Sequence, residues 1–417
     1  MIALVDCNNF FVSCERVFTP SLEHRPVVIL SNNDGCIVSL SNEAKAIGLK
    51  RGDPYFRIRP LAASHGVVAL SGNHRMYHDM SERVMSILRS LVPSIEIYSI
   101  DEAFLFLDSA TGDPEGFGRH IRQTVLQYTG IPVSVGIAST KTLAKAAAHF
   151  AKKYPGYRGA CIIDTETKRL RALELTDIGD VWGVGRRMRA TMLRMGVDTA
   201  ALFAAMSRDS VRRWFTVTGE KTWRELRGEA CIDWQPTAAD RQSITTSRSF
   251  AMDIYDFDTL REAVCTFAAI AARKLRRQGS YALELEVWLR TNRFHERNPQ
   301  YAAASRETFP DATADTMQIS AAATHALSRI YRQGYGFKKA GVTITRLTRR
   351  EGIQYSLFRN AADSERRERL MKVVDTINEE ITGCASLHVA SARPALTLLS
   401  RQHTQQSAGS VRLITAP

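Results

Sequence analysis

The chain is short of acid. Its 417 residues carry 43 Asp and Glu against 56 Lys and Arg, a formal net charge of +13. That deficit points to an anionic partner, nucleic acid ahead of an acidic membrane surface. The seven cysteines (Cys7, Cys14, Cys36, Cys161, Cys231, Cys265 and Cys384) show no C-x-x-C pair and no zinc spacing. Their odd number, with no secretory signal ahead of them, fits reduced thiols and a cytoplasmic location rather than a disulfide framework. No run is long and apolar enough for a membrane span. The uncharged stretch 123–140 contains Gly130 and Pro132 and reads as helix end, turn and strand.

What is present is enough apolar residue, 44%, to bury real cores, with charged residues at 24%. The length suggests roughly three domains. One stretch organises the rest. Ile95-Glu96-Ile97-Tyr98 and Leu105-Phe106-Leu107 are short β-prone runs, and Ser99-Ile100-Asp101-Glu102-Ala103-Phe104 lies between them. This reads as a hairpin with an acidic turn. Its one matching partner is the apolar strand Met1-Ile2-Ala3-Leu4-Val5 running into Asp6. Taken singly, each acid is ordinary turn chemistry. Taken together, three carboxylates at strand ends suggest a site for a hard divalent cation such as Mg²⁺, which takes oxygen ligands. Two such ions, roughly 3.5–4 Å apart, serve phosphoryl chemistry.

Taken in order, 2–5 forms a strand and 12–18 a helix. Val27 to Leu30 is a strand ending in the turn Ser31-Asn32-Asn33-Asp34-Gly35, Cys36 to Leu40 is strand-like, and Asn42 to Gly48 is a short helix. Lys50 to Pro54 closes that small basic unit. A strand at 67–70 precedes a helix at 73–91 with Met76, Met80, Val84, Ile87 and Leu91 on one face. A helix near 115–128 leads to the strand Val133 to Ile137, and Ser139 or Thr140 caps the next helix. There Leu143, Ala147 and Phe150 form one face, and Lys141, Lys145 and Lys152 another. The plain reading of those lysines is a solvated face; the functional one is a cationic wall for phosphates. Residues 1–165 thus read as α+β.

From Leu170 to Gly228 the pattern is helical. Trp182-Gly183-Val184-Gly185, followed by Arg186, Arg187 and Arg189, is either an ordinary interhelical turn or a helix-hairpin-helix that presents backbone N–H groups to a phosphate. Asp233 to Asp240 reads as linker. Residues 242–347 then give β-α-β-β-α-β, with Tyr281, Leu283, Leu285, Val287 and Leu289 expected on one face of a strand. Between 240 and 350 there are 18 Lys and Arg and 11 Asp and Glu, a net of +7, more than half of the excess. Arg273, Lys274, Arg276, Arg277, Lys338 and Lys339 gather near element ends, as contacts to a nucleic-acid backbone would. Residues 364–380 form a charged helix, and the end beyond about Ala390 has a disordered composition.

Several of these segments, in order, resemble the Y-family translesion DNA polymerases. They are Val5-Asp6-Cys7-Asn8-Asn9-Phe10-Phe11, Tyr98 to Phe104, and Gly136-Ile137-Ala138-Ser139-Thr140-Lys141-Thr142-Leu143-Ala144-Lys145. Ser31 to Cys36 and Glu225-Leu226-Arg227-Gly228 narrow the resemblance to the bacterial UmuC type. It covers about 1–385. It implies an α+β multidomain right hand: palm (1–19 and 79–165) with a mixed sheet, small fingers (20–78), helical thumb with the helix-hairpin-helix (166–232), linker (233–241), β-α-β-β-α-β little finger (242–350), and a C-terminal region (351–417). By the same resemblance Asp6, Asp101 and the Cys7 carbonyl hold two Mg²⁺ ions, and Glu102 completes the catalytic set. Phe11 is the steric gate against a ribose 2′-OH, where many relatives have Tyr. Phe10, Ser39, Asn42, Lys45 and Lys152 meet the incoming dNTP; Asn42 and Lys45 replace the Tyr and Arg of many relatives. Gly183, Gly185, Arg186 and Arg187 approach the DNA. Gln354, Leu357 and Phe358 resemble the peptide that docks polymerases on the sliding clamp. The partners implied are primer-template DNA, a cleaved UmuD-type dimer, a RecA filament and the clamp, with no membrane. The final stretch lacks the aromatic, basic ending of UmuC.

The chemistry agrees with an error-prone, template-directed polymerase of the SOS response. Lowering the pKa of a 3′-oxygen and offsetting pyrophosphate charge are metal tasks, so no His or Cys nucleophile is needed. Small fingers cannot wrap a nascent base pair closely, which admits damaged templates. Two rivals stand beside it. One is a catalytically silent scaffold that binds DNA and clamp, whose known examples lose the carboxylates kept here. The other is a different two-metal enzyme such as a nuclease, which has no use for fingers and little finger.

Overall fold

The computed structural model describes residues 1–32, 34–108, 112–236, 239–295, 297–349 and 361–380. They form two compact units, one of 1–31 with 36–239 and one from Asp240 onward.

The first unit contains β1 (Ile2–Cys7), α1 (Phe10–Phe18), β2 (Val27–Leu30), β3 (Ile37–Leu40), α2 (Asn42–Ala46), α3 (Tyr55–Ser64), β4 (Val68–Ser71), α4 (His74–Leu91), β5 (Ile95–Ile97), β6 (Glu102–Phe106), α5 (Pro114–Thr129), β7 (Val133–Ala138), α6 (Lys141–Lys153), β8 (Ala160–Ile163), α7 (Glu166–Glu174), α8 (Arg186–Arg194), α9 (Ala200–Ala205) and α10 (Arg208–Leu226). Its main sheet has the order β5-β6-β1-β7-β8. Strand β1 lies at the centre, antiparallel to β6 and β7, and β7 runs parallel to β8. Both faces of β1 are covered, and alternation assigns them. Ala3, Val5 and Cys7 join a core with α1, α4 and α5, whereas Leu4 joins Phe104, Ala138 and the apolar side of α6. Asp6 therefore projects from the α6 face, beyond Ile2 and Leu4.

Helix α6 approaches the sheet so closely that one position admits only glycine. A Cβ on Gly136 of β7 would lie 2.0 Å from the Ala148 nitrogen and 2.2 Å from the Ala144 oxygen. Thr140 caps α6, its hydroxyl accepting from the Leu143 N–H. A smaller sheet, β3-β2-β4, packs its own core of Val28, Leu30, Ile37, Leu40, Ala44 and Leu49. Helix α3, which the sequence pattern did not show, lies between Pro54 and β4. Only its Ala62 is buried and Pro60 interrupts it, so it has little amphipathic signal.

The second unit contains β9 (Ile244–Ile254), α11 (Phe257–Arg277), β10 (Ser280–Thr291), β11 (Ala302–Thr313), α12 (Thr316–Ile330), β12 (Phe337–Arg349) and α13 (Ala361–Glu380). The strands form an antiparallel sheet in the order β11-β10-β12-β9. Helices α11 and α12 share one core with its inner face. The expected single face of β10 is broken. Its register with β11 shifts between Ala282 and Glu284, so Ala282, Leu285, Val287 and Leu289 are buried, while Tyr281 and Leu283 are not. A β-bulge does this by adding backbone to one side of the ladder.

On the opposite face of the sheet Trp288 lies across Gly341, where a Cβ would meet the indole at 2.4 Å. Arg290 and Lys339 stand 5.1 and 5.6 Å from that ring. The expected basic cluster is only partly available to a ligand. Arg276 makes a bidentate pair with Asp375 of α13 (2.7 and 2.8 Å) and donates to the Ala314 carbonyl. Lys338 donates to the Ala251 carbonyl. No helix among the described residues is long and apolar enough to cross a membrane.

Candidate active site

The register of two strands creates the site. Asp6 of β1 lies directly opposite Glu102, the first residue of β6. Such a cross-strand pair shares one face of the sheet with Cβ atoms about 5 Å apart, and like charges so placed repel. Asp101 precedes Glu102 in the turn, and its carbonyl accepts the Cys7 N–H at 2.8 Å, which fixes the turn against the end of β1. The Ser99 hydroxyl donates to Asp101 Oδ1 at 2.6 Å. Three carboxylates and the backbone of Cys7 thus meet where β1 and the β5–β6 hairpin end.

Helix α6 supplies the opposing charge. Lys152 Nζ donates to Asp6 Oδ1 at 2.6 Å, and Lys145 Nζ donates to both oxygens of Glu102 at 3.0 and 3.2 Å. Lys141, on the same stripe, is only 2% exposed and pairs with Glu96. The solvated-face reading thus fails for Lys141 and Lys145, whereas Lys152 is exposed and pairs with Asp6 at the surface. Burial pushes the Glu102 carboxyl up, Lys145 offsets part of that, and Asp6 and Asp101 add to it. Burial also pushes the Cys7 thiol up, with Asp6 and Asp101 reinforcing the shift.

Among the described residues no three His, Cys, Asp or Glu side chains form a ready-made metal-ligating group. Lysine ammoniums and a serine hydroxyl hold the carboxylates. The donor set itself, acidic oxygens beside a main-chain carbonyl, suits a hard divalent cation.

The small β3-β2-β4 sheet brings a second group of cations and amides. Ser41 caps α2, so that Asn42 and Lys45, three residues apart, lie on one side of it. Lys45 Nζ donates to Asn9 Oδ1 at 2.6 Å and to Asn42 Oδ1 at 3.3 Å; Asn9 Nδ2 donates to Asn42 Oδ1 at 3.1 Å. Asn9 caps α1 from the left-handed region, φ 47°, a conformation asparagine tolerates better than most residues. Burial first, and then the nearby charge of Lys152, lowers the pKa of Lys45, with Asp6 opposing. Lys45, Lys152 and Asp6 therefore share one electrostatic neighbourhood. Ser39 is half-buried on β3.

Phe10 is buried and Phe11 half-buried at the start of α1. The Phe11 ring stacks on Tyr77 of α4, centroids 4.3 Å apart and planes within 13°. The Tyr77 hydroxyl donates to Glu15 Oε1 at 2.7 Å. Tyr77, Glu15 and Asn9 carry no signal that marks them in the sequence as part of a site. Only the doubled asparagine at 8 and 9, ahead of a helix, could have flagged the last.

Gly183 has φ 92° and lies against Thr222 Oγ1, while Gly185 caps α8 without a side-chain bond. Arg186 and Arg187 occupy the exposed first turn of α8. None of these four enters the carboxylate cluster. Gln354, Leu357 and Phe358 lie outside the described residues.

Family comparisons decide what this arrangement belongs to. Residues 5–149 match the model of the impB/mucB/samB family, and residues 241–357 match that family's C-terminal domain. The chain belongs to the impB/mucB/samB family. Protein UmuC of Salmonella typhimurium is 42% identical over 381 residues, spanning 91% of this chain and 90% of the relative. Protein ImpB of the same species is 40% identical over 92% of this chain and 91% of its own length. DNA polymerase IV of Moorella thermoacetica is 28% identical over 90% of this chain and 92% of its own. Among solved structures, a Y-family DNA polymerase chimera of Dbh and Dpo4 superposes with a TM-score of 0.67, at 19% identity, covering 84% of this chain and all of that one. An insertion ternary complex of Dbh DNA polymerase gives 0.55 at 18% identity. These establish the α+β Y-family fold. Membership beside UmuC makes the chain a DNA-directed DNA polymerase of the Y family that performs translesion synthesis in the SOS response.

Proposed function

We propose that Asp6, Asp101 and Glu102, with the Cys7 carbonyl, bind two Mg²⁺ ions and form the nucleotidyl-transfer centre. The observation that carries this is the cross-strand opposition of Asp6 and Glu102, with Asp101 fixed beside them by the Cys7 N–H. When bound, the ions activate the primer 3′-oxygen and offset the charge of the departing pyrophosphate. The chain's own groups do the remaining work. Lys145 and Lys152 hold the opposed carboxylates in place before ligand arrives. Lys152 then exchanges Asp6 for the triphosphate of the dNTP, alongside Lys45, Asn42 and Ser39, with Phe10 closing the pocket. Phe11, held flat by Tyr77, lies under the sugar and excludes a 2′-OH.

In this reading 1–19 and 79–165 are palm, 20–78 fingers, 166–232 thumb and 242–350 little finger. The glycines at 183 and 185 and the arginines at 186 and 187 hold a DNA phosphate at the start of α8, where N–H groups point outward. The basic second unit supplies sequence-independent affinity for primer-template DNA. Gln354, Leu357 and Phe358 dock the sliding clamp, and a cleaved UmuD-type dimer and a RecA filament complete the assembly in the cytoplasm. The retained carboxylates weigh against the catalytically silent scaffold.

The test is single-nucleotide insertion across a Mg²⁺ titration. Wild type should saturate, whereas Asp6→Ala should give no product at any Mg²⁺ concentration while binding primer-template as well as wild type. Insertion by Asp6→Ala at wild-type rates would refute the assignment.

A further inference from the structure

The segment expected to link the two units, 233–241, is anchored along most of its length. Five consecutive residues are held by side chains of the first unit. The N–H groups of Cys231 and Ile232 donate to Glu225 Oε1 at 2.9 and 3.2 Å. The Asp233 carbonyl accepts from Lys141 Nζ at 2.6 Å. The Trp234 indole N–H donates to Ser94 Oγ at 2.9 Å, and the Gln235 N–H donates to Glu96 Oε2 at 2.7 Å.

The receptors are built for this. Glu225, 1% exposed, lies at the end of α10, and its second oxygen accepts the Thr142 N–H in the first turn of α6. Lys141, 2% exposed, holds both oxygens of Glu96 at 2.7 and 2.8 Å and lies 5.4 Å from the Trp234 ring. A buried ammonium and two carboxylates thus find part of their hydrogen bonding only when 231–235 is in place, and leaving such groups unmet is costly. The stretch Glu225-Leu226-Arg227-Gly228, a mark of the UmuC type with no role in the polymerase site, supplies one of these receptors.

At the other end, the Arg241 N–H donates to Gln278 Oε1 at 3.1 Å, the Arg241 carbonyl accepts from Gln278 Nε2 at 3.0 Å, and Asp240 pairs with Arg349 at 2.8 Å. These anchors lie within the second unit. Only 236–239 separates the two sets.

We infer that 231–235 is a docked strap, and that Glu225, Lys141, Glu96 and Ser94 form its receptor and set the length of the tether. Four residues span at most about 14 Å; freeing the strap adds five more and raises the limit to about 32 Å. The effective concentration of one tethered binding module falls roughly as the −3/2 power of tether length, so release lowers it about threefold. The strap thereby makes the second unit's DNA affinity available to the first. This rests on the reading that the second unit binds DNA.

The test uses the full chain carrying Trp234→Ala with Gln235→Pro. These changes remove the indole donor and the N–H to Glu96 but leave the Lys141–Glu96 pair. Hydrogen exchange at the Cys231, Ile232 and Gln235 amides should show protection in wild type; in the variant the Cys231 and Ile232 amides should lose it. The variant's Kd for primer-template should rise about threefold, with insertion rate at saturating DNA unchanged and Trp234→Phe intermediate. Open-chain exchange at these amides in wild type overturns the strap. An unchanged Kd in the released variant, when Arg290→Ala with Lys339→Ala does weaken binding, overturns its role as tether. If the arginine and lysine substitutions themselves leave Kd unchanged, the reading of the second unit as the DNA-binding module falls, and the tethering role with it.

Discussion

At the scale of single residues, the proposed site separates the acidic cluster, assigned to metal, from the groups assigned to nucleotide. Lys45 donates to the amides of Asn9 and Asn42 and to none of the three carboxylates, so its removal should spare the acidic cluster. A hydrogen bond from a charged group contributes about 1.5–3 kcal/mol. Lys45→Ala should therefore raise KM for dNTP roughly 10- to 100-fold with a smaller change in kcat, as read from steady-state insertion kinetics. Phe11→Ala removes the ring stacked on Tyr77. If overpacking against a 2′-OH costs about 3 kcal/mol, the ratio of ribo- to deoxyribonucleotide insertion should rise about 100-fold. An unchanged ratio would place the gate elsewhere. That Asp6, Asp101 and Glu102 belong together was legible because their motifs are local, and so was the aromatic pair Phe10-Phe11 at the start of α1. Tyr77 and Glu15 were not, because they reach Phe11 through the packing of α4 on α1, which leaves no mark in either segment alone.

At the scale of elements, the active site depends on how closely α6 lies on β7. A methyl at 136 meets main-chain atoms that cannot give without moving the helix. Gly136→Ala should destabilise the protein by about 3 kcal/mol, seen as a lower urea midpoint with unchanged slope. It should also impair synthesis, because α6 carries Lys145 and Lys152. Periodicity made α4, α6, α11 and most strands readable from sequence; β8 (Ala160–Ile163), only four residues long, was not read. Helix α3 lacked that signal, with one buried residue and an internal proline. The face of β10 was misread because a bulge at 282–284 is a property of the pairing with β11, not of the alternation in β10. The lysine stripe of α6 was visible as spacing, but its pairing with Glu96, Glu102 and Asp6 depends on the sheet register.

At the scale of the whole molecule, two charge systems divide the work. In the proposed reading the carboxylates, paired with lysines of α6, hold the chemistry, while the excess of positive charge over 240–350 supplies affinity for DNA without sequence preference. Affinity should accordingly fall with salt. Arg290→Ala with Lys339→Ala should weaken binding uniformly across sequences. It should also reduce the slope of log K against log salt by about 2, one for each phosphate that is no longer neutralised. The β-α-β-β-α-β order of the second unit was legible, as was its charge. That Arg276 is committed to Asp375 was not, since α13 is about 100 residues away in sequence.

The most direct measurement is primer extension across an abasic site with Mg²⁺, sliding clamp, cleaved UmuD-type partner and activated RecA, wild type beside Asp101→Ala. Bypass by wild type alone is expected, with both proteins binding primer-template equally. Bypass by Asp101→Ala would contradict the role of the carboxylates. Binding by both without extension by either, on damaged or undamaged template, would contradict the catalytic reading of the site.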